Sequence, residues 1–193
     1  MAGKISYNLV KGFMKLIFRI EVRGKENFPL DGGCMVCANH LSMWDPVLLM
    51  CFMPRMISFV AKEELKRVPY IGGVLKSVDT IFIKRNSSDL SAIKASMKAI
   101  EEGKVVGIFP TGTREKTNPD AKPKSGAALI ASKTGAKVIP VGINATYKLF
   151  SRIVVTIGEP VDYAEYKGRK MNSEQLENMV CEIYDKIIEN KSC

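Results

Sequence analysis

The run Asn39-His40-Leu41-Ser42-Met43-Trp44-Asp45-Pro46 holds the chain's single histidine, with an aspartate five residues later and a proline directly after that. An imidazole near a carboxylate is the simplest general-base pair available near neutral pH. In one continuous helix, residues five apart stand about 140° apart around the axis and do not meet. Pro46, however, biases Asp45 away from helical dihedrals and is itself comfortable as a first helical residue. The spacing therefore predicts Asp45 as the N-cap of a helix opening at Pro46, with 39–44 a loop entering from a strand. Folded, such a loop brings the two side chains together, Asp45 taking one ring N–H and leaving the other nitrogen as base. The same pattern also fits a capping aspartate beside an incidental histidine.

Two further blocks carry charge or hydrogen-bonding groups at strand ends. Phe109-Pro110-Thr111-Gly112-Thr113-Arg114 joins a glycine that permits close backbone approach, hydroxyls and a guanidinium. Guanidinium and backbone N–H groups together suit a phosphate monoester. Thr80-Ile81-Phe82-Ile83-Lys84-Arg85 sets Lys84 and Arg85 at the end of a strand, where they add positive charge to the same mouth. Ligands of open α/β sheets bind at the carboxyl ends of strands. Each block alone also reads as a solvated loop or a charged strand terminus.

The elements that must position these residues alternate. Apolar runs at Cys34–Ala38, 57–61, 80–84, 105–109, 138–143 and 153–157 predict strands. Helices are predicted from Pro46, over 88–102 with Gly103 as its stop, over 125–133 closed by Gly135, and at the C-terminus along Leu176, Val180, Ile183 and Ile187. The alternation implies one α/β domain over 23–193, a mixed, largely parallel sheet flanked by helices. Residues 1–22 precede it as an amphipathic helix. Stepping 100° per residue sets Lys11, Lys15 and Arg19 within about 60° of Lys4, and gathers Leu9, Phe13, Leu16, Ile17 and Ile20 opposite. Such a helix suits an anchor lying on anionic lipid, and equally a helix packed on the core with solvated lysines.

Composition narrows the classes. The 193 residues are 46% hydrophobic and 25% charged, enough for one sizeable core. A net charge of +9 suits nucleic acid, an anionic membrane face or phosphorylated and CoA-like ligands. Zinc modules, helix-turn-helix signatures and RNA-binding aromatic pairs are all missing, which disfavours nucleic acid. Cys34-Met-Val-Cys37 lacks a second pair or a histidine cluster, so the five cysteines read as small core residues rather than metal ligands. No stretch offers the roughly 20 uninterrupted apolar residues of a membrane span. Lys11, Lys15 and Arg19 also interrupt the run where a signal peptide would need its apolar centre.

Taken in order, the blocks resemble those of the glycerolipid acyltransferase family, from about residue 36 to 143. The resemblance rests on Asn39 to Pro46, on Lys62-Glu63-Glu64-Leu65 through Val68-Pro69-Tyr70-Ile71-Gly72, on Phe82 to Arg85, on Phe109 to Arg114 and on Val138-Ile139-Pro140-Val141-Gly142. It implies transfer of a fatty acyl group from an acyl-CoA or acyl carrier protein thioester to a lysophospholipid. The implied acceptor is the sn-2 hydroxyl of 1-acylglycerol 3-phosphate, and the product phosphatidic acid. On this resemblance His40 is the base and Asp45 its orienting partner. Arg114, with Arg85 and Lys84, holds the acceptor phosphate, while Thr111, Gly112 and Thr113 line the acceptor site, Gly112 lending backbone N–H groups to the acceptor or to the developing oxyanion. No metal or redox cofactor is required, and the expected place of work is the cytoplasmic face of the membrane, bound peripherally or monotopically. One departure stands out: where the family's third block reads Phe-Pro-Glu-Gly-Thr-Arg, this chain has Thr111, with Glu115 four residues on as the nearest carboxylate. That leaves a second reading, a membrane-binding relative with another lysolipid acceptor or no activity.

Overall fold

The computed structural model describes residues 2–63, 80–83 and 89–192, giving the backbone alone at 2–7, 61, 62, 83 and 89. In chain order the elements are α1 (Ala2–Ile17), β1 (Arg19–Arg23), β2 (Cys34–Ala38), α2 (Asp45–Phe52), β3 (Ile57–Lys62), β4 (Ile81–Ile83), α3 (Asp89–Glu101), β5 (Val105–Ile108), α4 (Gly126–Thr134), β6 (Lys137–Ala145), β7 (Arg152–Ile157) and α5 (Ser173–Ser192). Among the described residues the strands form one seven-stranded sheet in the order β1-β7-β6-β2-β5-β3-β4. Every pairing is parallel except β6 with β7. The chain is thus a single α/β unit on a mixed, mostly parallel sheet, as its alternation predicts.

β2 lies between β5 and β6 and is buried along its whole length. This explains why its sequence is a continuous apolar run rather than an alternating one. Cys34, Val36 and Ala38 face Leu48 and Leu49 of α2 and Met14 of α1, while Met35 and Cys37 face Ala127 and Ala131 of α4 and Val180 and Ile183 of α5. Burial pushes the Cys37 thiol up to about 12 and that of Cys51 up to about 11, so both behave as small core side chains. The parallel central strands place the residues that follow β2, β5 and β6 along one edge of the sheet.

The N-terminal segment departs from expectation. The helix stops at Ile17, and Arg19–Arg23 is an edge strand paired with β7. The reason lies in the sequence Arg-Ile-Glu-Val-Arg, whose strict alternation gives one apolar side to a strand. Arg19 and Ile20 therefore do not belong to the helical faces. Within α1 the apolar surface divides: Met14 is fully buried against the core with Ile17 packed beside it, while Leu9, Phe13 and Leu16 remain exposed. Lys15 is exposed, but Lys11 turns inward, its Nζ 5.5 Å from the centre of the Phe52 ring.

α5 is entered through a reciprocal cap. Gln175 N–H donates to Asn172 Oδ1 at 2.8 Å, and Asn172 N–H donates to Gln175 Oε1 at 3.0 Å. At its other end the helix packs backbone to backbone on β6, at Gly142. A Cβ there would collide with the main chain of Asn190 and Lys191. Gly142→Ala is expected to lower stability by about 1–3 kcal/mol through overpacking. Urea denaturation would check this, and an unchanged midpoint would show that α5 can shift freely.

Candidate active site

The chain leaves β2 at Ala38, and Asn39 is held at once. Its Nδ2 donates to Ile143 O at 2.9 Å, and its Oδ1 accepts from Ile143 N–H at 2.7 Å. Both groups are buried, so the side chain replaces a ladder pairing where β2 diverges from β6. His40 follows, and its backbone carbonyl accepts from Glu115 N–H at 2.8 Å. The loop after β5 is therefore tied to the same point. Glu115 also accepts from Lys191 Nζ at 2.9 Å, which brings in the end of α5.

The loop then folds so that His40 and Asp45 meet, with His40 Nδ1 2.7 Å from Asp45 Oδ2. Asp45 has no exposed surface, whereas 17% of the His40 side chain is exposed. The carboxylate is tightly surrounded. Leu41 N–H and Ser42 N–H each donate to Oδ2 at 2.7 Å, and the Tyr147 hydroxyl donates to Oδ1. Because an ionised carboxylate only accepts, the neutral imidazole that fits this contact carries its proton on Nδ1 and its lone pair on Nε2. Phe109 stacks on the imidazole at 4.1 Å between ring centres, and Phe59 stacks on Phe109 at 5.4 Å. Gly107 leaves room for that aromatic column, since a Cβ there would run into the Phe59 ring.

Asp45 does not act as the expected N-cap. It is the first residue of α2, Trp44 stands before it, and no side-chain cap bond is made there. Its carboxylate turns back onto the loop amides of Leu41 and Ser42. The loop's own unpaired N–H groups, together with the imidazole, outcompete the helix's first turn for it. Pro46 fits the first turn as predicted because it has no N–H to leave unpaired.

The third block is a compact turn. Gly112 has φ of +67°, a left-handed conformation that favours glycine, and its N–H donates to Phe109 O at 2.9 Å. That N–H is engaged within the turn, contrary to its expected role toward a ligand. Thr111 is buried, and its hydroxyl donates to Thr113 O at 2.9 Å, so it braces the turn from inside. Glu115 is committed to Lys191 and so gives Thr111 no replacement carboxylate. Arg114 is exposed, and its carbonyl accepts from Thr117 and Asn118 N–H. Lys84 and Arg85 lie outside the described residues, as do Glu64, Leu65 and 68–72.

Two residues near the site were not legible as such. Tyr147 lies 102 positions from Asp45, and nothing local to either residue announces the contact. Lys124 is exposed, with its Nζ 3.5 Å from where a Gly112 Cβ would sit. The basic Lys122-Pro123-Lys124 leading into α4 is the signal that could have found it.

An acyltransferase family model matches residues 19–144. A 1-acyl-sn-glycerol-3-phosphate acyltransferase from Bacillus subtilis is 33% identical over 169 residues, covering 84% of each chain. One from Borreliella burgdorferi is 30% identical over 160 residues, and the match spans 79% of this chain and 64% of that one. The crystal structure of the 1-acyl-sn-glycerophosphate (LPA) acyltransferase PlsC from Thermotoga maritima aligns with a TM-score of 0.71 at 30% identity, covering all of this chain and 82% of that one.

The paired bonds of Asn39 yield a prediction. Asn39→Ala strands the N–H and C=O of Ile143 in a buried setting and should cost about 1–3 kcal/mol. Comparing urea midpoints of the two proteins measures it, and no loss would mean that water or another group satisfies Ile143.

Proposed function

The chain belongs to the acyltransferase family, and from that premise we propose that it acylates the sn-2 hydroxyl of 1-acylglycerol 3-phosphate, giving phosphatidic acid. The acyl donor is a thioester of coenzyme A or acyl carrier protein. His40 Nε2 takes the acceptor's hydroxyl proton as the oxygen attacks the thioester carbonyl. The tetrahedral adduct collapses with loss of the thiolate, which leaves as the free thiol on receiving the proton back from the imidazolium. Asp45 fixes the tautomer and stabilises the imidazolium while it lasts. The Arg114 guanidinium receives the acceptor phosphate, with Lys124 adding charge from across Gly112.

The observation that carries this reading is the bond from Glu115 N–H to His40 O at 2.8 Å. It ties the loop that carries His40 to the turn that carries Arg114, which supports a reading in which the two act on one acceptor. Buried Thr111 favours a second reading of the acceptor alone, that another lysolipid is preferred. Assays across lysophosphatidic acid, glycerol 3-phosphate and other lysolipids, with both donor types, separate the two. Lysophosphatidic acid should be the fastest acceptor, and a clear preference for a different one would overturn that assignment. His40→Ala should cut turnover by at least ~10²–10⁴-fold with the fold retained. Undiminished turnover would remove His40 as base.

We also propose that the enzyme works from the surface of an anionic bilayer, at its cytoplasmic face. Among the described residues no helix is long and apolar enough to cross a membrane. The exposed Leu9, Phe13 and Leu16 of α1 supply an apolar ridge, and Lys15 is exposed on another side of the same helix. Leu149 and Phe150 are 67% and 60% exposed and lie at its end, where Phe150 N–H donates to Ile17 O at 2.8 Å. Removing α1 would also withdraw Met14 from the core, so the ridge is better tested by Phe13→Asp with Leu16→Asp. This variant should lose co-sedimentation with phosphatidylglycerol vesicles while keeping the wild-type melting temperature. Full sedimentation would refute the surface role of α1.

A further inference from the structure

Tyr147 sits in the turn between β6 and β7, outside every block that carries the family resemblance. Its hydroxyl is the partner of Asp45 Oδ1, the oxygen that neither His40 nor the loop amides engage. Among the described residues, the other bonds to the carboxylate fall on Oδ2. A buried carboxylate held by one oxygen alone can rotate or take up a proton, and either change removes its hold on Nδ1. We propose that Tyr147 is a positioning residue for the acyl transfer argued above, pinning Asp45 Oδ1 so that Oδ2 stays aligned on His40 Nδ1.

Three features of the turn support that role. Tyr147 has φ of +55°, a left-handed backbone that a tyrosine rarely adopts and that surrounding structure must impose. Its ring stands edge-on to Phe18 at 5.8 Å, which anchors it to the junction of α1 and β1. The bond from Phe150 N–H to Ile17 O fastens the far side of the turn to the same junction. Burial and the Asp45 carboxylate push the Tyr147 phenol up, so it keeps its proton and remains a donor throughout the working range.

Because the chain has a single histidine, the His40 Nδ1 proton can be followed without ambiguity by proton NMR. Tyr147→Phe keeps the ring and removes only the donor. It should lower kcat about 10- to 100-fold and leave KM for lysophosphatidic acid within about twofold. It should also shift the Nδ1 proton resonance, with the melting temperature close to wild type. In an Asp45→Asn background the same change should cost little further, since Tyr147 acts through Asp45. Wild-type kcat with an unmoved resonance would overturn the proposal. So would additive losses in the double variant, or a collapsed melting temperature with unchanged turnover per folded molecule. If wild-type protein transfers no acyl group, the proposed function fails instead, and the resonance shift still decides whether Tyr147 holds the pair.

Discussion

The carboxylate of Asp45 is the constraint around which the rest is arranged. A fully buried charge costs several kcal/mol unless its oxygens are met by donors. Here two loop amides, an imidazole and a phenol meet them. The amides come from the loop's own folding, so the turn at 40–45 and the charge stabilise each other. The phenol comes from the far side of β6, and it can arrive only because β2 and β6 run side by side in parallel. The sheet order is therefore a condition for the buried carboxylate, and the carboxylate a condition for the placement of His40.

The remaining contacts bind three strand ends into one rigid edge. Asn39 joins the exit of β2 to β6, Glu115 joins the loop after β5 to His40, and Lys191 joins α5 to Glu115. Gly142 lets α5 lie close enough to make the last of these. Aromatic stacking from Phe109 fixes one face of the imidazole, so the ring is held by its neighbours as well as by its hydrogen bond. Among the described residues of the candidate site, Arg114 and Lys124 carry exposed side chains.

How much could be read from sequence follows from how local each signal is. β2, α3, α4 and α5 were legible because burial on both faces or on one stripe writes itself into consecutive residues. Gly103 and Gly135 marked helix ends through the left-handed conformations they adopt. The pairing of His40 with Asp45 was legible as an option because five residues and a proline leave few ways to connect them. The helix expected over 1–22 overruns into β1 because Arg19 and Ile20 still fall acceptably on its wheel, whereas the alternation of Arg19–Arg23 and its edge position beside β7 make it a strand. The capping role of Asp45 failed because competing donors in a folded loop cannot be ranked from their order alone. Tyr147 was invisible because its partner is 102 residues away.

That last separation bears on how the protein is made. His40 and Asp45 precede in synthesis the groups that tie their loop down: Glu115 on His40, Ile143 on Asn39 and Tyr147 on Asp45, with Lys191 behind Glu115. Until β6 and the turn after it have emerged, Asn39 lacks Ile143 and the outer oxygen of Asp45 lacks its phenol. Until α5 has emerged, Glu115 lacks its lysine. The pair is written early and held late, so a nascent chain that has not yet reached β7 carries the motif without the contacts that fix it.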